Sequence, residues 1–231
     1  MKLLCMSDLH GHLPPASSAW TADVAVIAGD VTPALNSYYG GNAPGLYNQS
    51  KWVIDTFMPW LNTLPVRHVV LTWGNHDHIG EHPELLSPAV WPANMHMLVN
   101  RSVTIEGVSF HGVPQTPRFC DWAFNDDDND IVLGSRWAQV PEGTDVLVSH
   151  GPPRGACDTI RRGEPNLGSL TQSRWLHSEA PNHPRVVICG HIHGSGGREG
   201  GCGSTRIYNV ALINEAYQLV REPKLITLET V

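Results

Sequence analysis

The stretch Arg185–Gly194 reads RVVICGHIHG. Its first half is a short apolar run rich in β-branched residues, the signature of a buried strand. The run stops at Gly190, and two imidazoles one residue apart, His191 and His193, stand just beyond its end. A strand that delivers polar, electron-donating side chains at its tip is the unit from which the rest of the chain can be read.

The same unit recurs. KLLCMS (Lys2–Ser7) leads to Asp8-x-His10, and DVAVIAG (Asp23–Gly29) leads to Asp30. HVVLTWG (His68–Gly74) leads to Asn75-His76-Asp77, and DVLVSH (Asp145–His150) ends on a histidine followed by glycine. Shorter strands are predicted at MHMLV, SVTIEGVSFHGV, RIYNVAL and KLITLET, with Glu106-Gly107 as a hairpin turn inside the second. Helical spacing is clearest over Asn48–Leu64, where Trp52, Val53, Thr56, Trp60 and Leu64 would share a face despite Pro59. Weaker helical patterns cover Asp130–Val140 and Ser169–Glu179. Strands alternating with loops and helices point to an α/β or α+β domain with a large sheet component. Without an internal repeat or a linker, residues 1–231 are read as one domain.

Bulk composition narrows the function classes. A net charge of −7 without a basic run argues against life on the backbone of long nucleic acids. Thirteen histidines against fifteen Lys and Arg is a high share and favours metal chemistry. The five cysteines are odd in number, widely spaced and without a CxxC pair, which speaks for a reducing compartment rather than a disulfide framework or a thiolate zinc site. The opening apolar run is too short for a signal peptide and no stretch reaches membrane-spanning length, so a cytoplasmic protein without membrane contact is expected.

Carboxylates, an amide oxygen and imidazoles at strand ends are hard-to-borderline ligands suited to Mn, Fe or Zn. Strand carboxyl ends converge on one edge of a sheet, where these tips could meet. Glycines beside them permit sharp turns and keep bulky side chains away.

Taken in order, D-x-H, G-D, G-N-H-D, S-H-G-P and G-H-x-H, running from Asp8 to His193, resemble the calcineurin-like metallophosphoesterase superfamily. GVPQTPRFCDWAFN (Gly112–Asn125) and SHGPPRG (Ser149–Gly155) resemble its metallophosphoesterase-domain branch, which is similar to the class III cyclic-nucleotide phosphodiesterases. The resemblance implies a four-layer αββα sandwich with two mixed β-sheets and a two-metal site on its rim. It implies that Asp8, His10 and His193 hold one ion, that Asp30 bridges, and that Asn75, His150 and His191 hold the second. The ions would be Mn²⁺ and/or Fe, with Zn²⁺ also admissible. His76 would act as general acid or as a clamp on phosphate, and Asp77 is its candidate orienting neighbour. The activity implied is hydrolysis of small phosphodiesters, such as 2′,3′- or 3′,5′-cyclic nucleotides, by in-line attack of a metal-bridging hydroxide. The other readings are a broad phosphomonoesterase, a nuclease for short RNA ends, and a weakly active nucleotide-binding module.

The corresponding stretch of the superfamily's protein phosphatases, G-D-x-x-D-R-G, is here GDVTPAL, which argues against a protein substrate. Arg118, Arg154 and Arg198 are candidate substrate contacts on loops, with Arg161 and Arg162 as further loop cations. Phe119, Trp122 and Phe124 are candidates for an aromatic wall or for packing beneath their loop. Cys120 and Cys189 are expected to be small buried residues. The acidic run Asn125–Asp130 reads as a solvated loop ending in a helix N-cap at Asp130, and GSGGREGGCGS reads as a flexible loop beside the site. Homodimerisation is compatible with the sequence.

Overall fold

The computed structural model describes residues 1–33, 44–87, 91–179 and 183–229. The predicted strands form two large sheets. The first has the order β13 (Lys224–Thr227), β1 (Lys2–Met6), β2 (Ala22–Ala28), β3 (Val66–Thr72), β4 (Met95–Met97). Its four strands β1 to β4 are parallel, and β13 closes one edge antiparallel. The second has the order β11 (Glu199–Cys202), β12 (Thr205–Asn209), β10 (Val186–Cys189), β9 (Val146–Ser149), β6 (Val108–Val113), β5 (Arg101–Ile105). Again the centre is parallel and both edges are antiparallel. A small pair, β7 (Thr116–Pro117) and β8 (Asn125–Asp126), lies apart.

Strand alternation assigns the layers, because successive side chains point to opposite faces. In β1, Leu3 and Cys5 pack with Val146, Val148 and Ile188 of the second sheet, forming the inter-sheet core. Leu4 and Met6 point the other way, against Val53, Phe57, Trp60 and Leu61 of a covering helix. On the far side of the second sheet, Leu147, Val187 and Ile207 meet Leu133 and Trp137 of α3 (Leu133–Ala138) and Leu176 of α4 (Leu170–Leu176). Helix, sheet, sheet, helix is the expected αββα order, and both sheets are mixed.

The covering helix runs as α1 (Pro44–Trp52), a π turn (Val53–Phe57) and α2 (Met58–Leu61). Pro59 has no N–H to continue the ladder, and just before it Met58 donates to the Val53 carbonyl, five residues back. This wide turn absorbs extra chain, so the buried face passes through Phe57, whereas the expected Thr56 is exposed.

Three local expectations are corrected. Asp130 does not cap α3: its N-cap is Val132, without a side-chain capping bond, and Asn129 Oδ1 accepts from Ile131 and Val132 in the turn before the helix. The glycine-rich loop contains edge strand β11, which lacks the apolar run that marks interior strands. Cys120 is exposed, whereas Cys189 is buried as expected. The hairpin at Glu106-Gly107 is present, both residues having positive φ as a type I′ turn requires. Among the described residues no helix is long and apolar enough to cross a membrane.

Candidate metal centre

The two parallel cores present their carboxyl ends at one rim, and the strand tips meet there. Asp8 follows β1, Asp30 follows β2, Asn75 and His76 follow β3, His150 follows β9, and His191 and His193 follow β10. Three of these residues, Asp8, Asp30 and His191, have positive φ (53°, 52° and 65°), as does His10 (42°) just beyond Asp8. Side-chain-bearing residues seldom occupy that region, and such strain concentrates where surrounding structure imposes a functional geometry. Glycine supplies the space between them. A Cβ on Gly190 would lie 2.0 Å from Asp8 Oδ2, and one on Gly74 would lie 2.3 Å from Asp30 Oδ1.

Asp8, His10 and His193 bring one donor atom each to within 4.8 Å of one another, and so do Asp8, Asp30 and His150. Asp30 Oδ2 stands between the two sets, 3.4 Å from His10 Nε2 and 3.3 Å from His150 Nε2. Asn75 Oδ1 is 2.9 Å from His150 Nε2, and the His150 and His191 rings are 5.1 Å apart. His193 Nε2 lies 3.2 Å from Asp8 Oδ1. The two histidines of GHIH therefore face different neighbours: His193 sits with Asp8 and His10, and His191 sits with His150. Backbone contacts lock the pair in place, since the His191 N–H donates to both Asp8 carboxylate oxygens at 3.1 and 3.0 Å.

These side chains fit divalent cations. They offer oxygen and imidazole nitrogen without thiolate, and both ring nitrogens of His10, though buried, have no hydrogen-bond partner among the described residues. Such orphaned groups are costly unless something else binds there. His150 is preset for ligation, because its Nδ1–H donates to the Ala28 carbonyl at 2.8 Å and so directs Nε2 into the site. Without a cation, burial disfavours its charged form, but Asp30 and Asp8 outweigh that and lift its pKa to about 9. Burial opposes charge on Asp8 as well, yet the His193 contact draws its pKa down to about 2. Asp30 is likewise held well below the carboxylate range by His150 and His76 despite burial. Burial pushes His10 down to about 4 and His191 to about 3, keeping both imidazoles neutral as ligation requires.

His76 lies beside this cluster, its ring 4.9 Å from that of His10 and 4.4 Å from that of Trp122. Its N–H donates to Asp30 Oδ1, and its carbonyl accepts from Gln49 Nε2 and Thr32 Oγ1. Asp77 does not orient the imidazole. Its carboxylate accepts instead from the backbones of Thr32 and Gly74 and from the Thr32 hydroxyl, pinning the β2 and β3 loops to each other. Burial, reinforced by the nearby Asp30 charge, raises its pKa to about 7.

A cavity of about 340 Å³ opens over Asp30, Asn75, His76, His191 and His193. Of the three arginines singled out in the sequence, Arg118 lines it and is paired with Asp127, whereas Arg154 and Arg198 lie outside its wall. Arg198 instead donates to Thr159 and Ser195. Phe119 and Trp122 line the cavity, while Phe124 is buried in the core beneath. Sequence reasoning missed Tyr217, Glu215 and Gln49. Tyr217 and Glu215 lie in a polar stretch after β12 with no strand or motif to mark them, and Gln49 is one polar residue of a helix.

The family model for calcineurin-like phosphoesterases matches residues 1–195, which includes every strand-tip residue named above. The chain belongs to the calcineurin-like phosphoesterase family. It is a metal-dependent phosphoesterase of the metallophosphoesterase-domain branch. Metallophosphoesterase domain-containing protein 1 of Homo sapiens is 27% identical over 251 residues, covering 99% of this chain and 71% of the relative. A UPF0046 protein of Caenorhabditis elegans is 25% identical over 255 residues, covering 96% of this chain and 59% of the relative. A solved structure sharing 18% identity superposes with a TM-score of 0.61 over 90% of this phosphoesterase and 89% of its own chain, a likeness of fold.

Proposed function

We propose that this phosphoesterase hydrolyses small phosphodiesters, cyclic nucleotides among them, with two divalent cations held by the strand tips. The observation that carries the reading is Asp30, one carboxylate within reach of both His10 and His150 and thus placed to be shared. Asp8, His10 and His193 would hold one ion, and Asn75, His150 and His191 the other. Mn²⁺ and Fe suit these donors, as does Zn²⁺. Bound there, such cations supply charge neutralisation for phosphate and acidify water near neutral pH.

The chain's own groups do the rest. Asp8 and Asp30 set the negative charge that draws cations into an acidic protein. The Ala28 carbonyl keeps His150 Nε2 aimed inward. Gln49 and Thr32 grip the His76 carbonyl, fixing the loop that places its imidazole on the cavity wall. From there His76 would give a proton to the departing ester oxygen as the phosphorus–oxygen bond breaks, avoiding release of a bare alkoxide. The cavity accommodates a small ester; long nucleic acid and protein are not its partners on this reading.

The test is a panel of mono-, di- and cyclic phosphate esters assayed with Mn²⁺ and with EDTA, with metal content measured on the same sample. Turnover of diesters that EDTA abolishes, at two ions per chain, is expected. Tight nucleotide binding without metal-dependent turnover would identify a binding module instead.

A further inference from the structure

We infer that Tyr217 and Trp122 form a two-sided aromatic clamp that selects phosphoesters whose organic group is flat and uncharged, such as an aryl or heteroaryl group. This deepens the proposed function and rests on it. Tyr217 approaches the metal centre from one side, its ring 4.9 Å from that of His10 and 5.4 Å from that of His193, at near-perpendicular angles of 72° and 88°. Trp122 lies 4.4 Å from the His76 ring, and Tyr217 lies 6.4 Å from that same ring, so His76 is their common neighbour. Both rings line the cavity that opens over the strand tips, with Ile160 and Leu167 as further apolar wall.

Tyr217 is held there at a cost. It has φ of 59°, a conformation that an aromatic residue rarely adopts, inside a turn that over-determines it. Asn214 Oδ1 accepts from the Ala216 and Gln218 N–H groups, the Asn214 carbonyl accepts from the Tyr217 N–H, and the Asn214 side-chain amide donates to Gln218. Yet the residue remains 41% exposed, so burial of the ring in a core does not repay the strain. Its use must lie in what it faces.

Among the described residues that line the cavity, the one guanidinium is engaged by a carboxylate and the rim also carries a carboxylate of its own. Arg118 is paired with Asp127, and Glu215 accepts from the Gly194 N–H at 2.6 Å. A second phosphate or a carboxylate on the substrate would have to compete with Asp127 for Arg118 and would meet Glu215, whereas a flat apolar ring would meet two aromatic side chains of the cavity wall. Aromatic contacts add about a threefold to tenfold preference beyond the area they bury.

The experiment compares phenylphosphonate with cyclohexylphosphonate, which share a non-hydrolysable anion and a six-membered ring but differ in planarity. Binding to the Mn²⁺-loaded protein is measured by calorimetry. Phenylphosphonate should bind about threefold to tenfold more tightly. The ratio should collapse to near one in Tyr217→Leu and in Trp122→Leu while cyclohexylphosphonate affinity and bound Mn²⁺ stay unchanged, and Tyr217→Phe should keep the ratio. Equal affinities in the unaltered protein, or loss of both ligands together in Tyr217→Leu at full metal content, would overturn the clamp. Because the readout is binding, the clamp can fail while diester turnover stands, and turnover can fail while the clamp stands.

Discussion

At the residue scale, the site is made of side chains that would be poor neighbours without something between them. Asp8 and Asp30 are both buried, with neighbouring histidines holding their carboxyls below the usual range, and His10 has neither ring nitrogen hydrogen-bonded among the described residues. Removing one donor should therefore show first in metal content. His191→Gly leaves the Asp8, His10 and His193 set intact, so one of the two proposed ions should be lost and turnover should fall by orders of magnitude, read by elemental analysis and a diester assay. Unchanged rates at saturating metal would remove His191 from the ligand set. Gly190→Ala tests the space the donors need. Its Cβ would meet Asp8 Oδ2 at 2.0 Å and Ser7 Oγ at 2.1 Å, too close to be absorbed without moving the carboxylate. A stability loss of about 1–3 kcal/mol together with weakened metal binding is expected, by thermal denaturation and metal titration.

Elements carry the donors and are themselves held by polar side chains from distant loops. Asp128, in the acidic run, is such a holder. Its carboxylate accepts from the Leu170 and Thr171 N–H groups and from the hydroxyls of Ser169 and Thr171, capping the start of α4. Asp128→Ala should cost about 1–2 kcal/mol in urea denaturation and leave turnover unaltered, since α4 covers the second sheet on the side away from the other sheet. A large loss of activity at normal stability would mean that the acidic loop takes part in catalysis. The covering helix shows the converse case, in which one residue reaches the site directly. Gln49 leaves α1 to grip the His76 carbonyl, the Thr32 hydroxyl and the Ile79 N–H.

For the whole molecule, titration of buried groups couples stability to pH. His111 is buried on β6, away from the cation donors, 2.8 Å from Ser102 Oγ, and burial lowers its pKa to about 4 from 6.5. The folded protein therefore keeps it neutral where the unfolded chain would protonate it. Between pH 6.5 and pH 4 the unfolded state binds the extra proton, so stability is lost as pH falls through that window, by something of the order of 2 kcal/mol. In His111→Gln that part of the decline should vanish, measured as melting temperature against pH at fixed metal concentration. An identical decline in the variant would assign acid lability to other groups.

Much of this was legible along the chain because strands and their tips are local. An apolar run such as Val186–Cys189 buries both faces whatever its neighbours do, and the polar residue that follows it must then lie at a sheet edge. The ordered series from Asp8 to His193 thus determined the layered fold and the family, and it named the strand-tip residues that the fold gathers at one rim. What it could not determine were contacts with no local mark. Edge strand β11 has no interior to fill and so no apolar pattern. Asp77 stands next to His76 in sequence but turns to the β2 loop, because adjacent residues need not share a direction. Tyr217, on a polar turn late in the chain, reaches the histidines only because the bridge between Ser7 and Ala211 joins the chain after β12 to the tip of β1. Long-range pairing alone decided which aromatic rings stand around the strand-tip residues that the sequence had already marked.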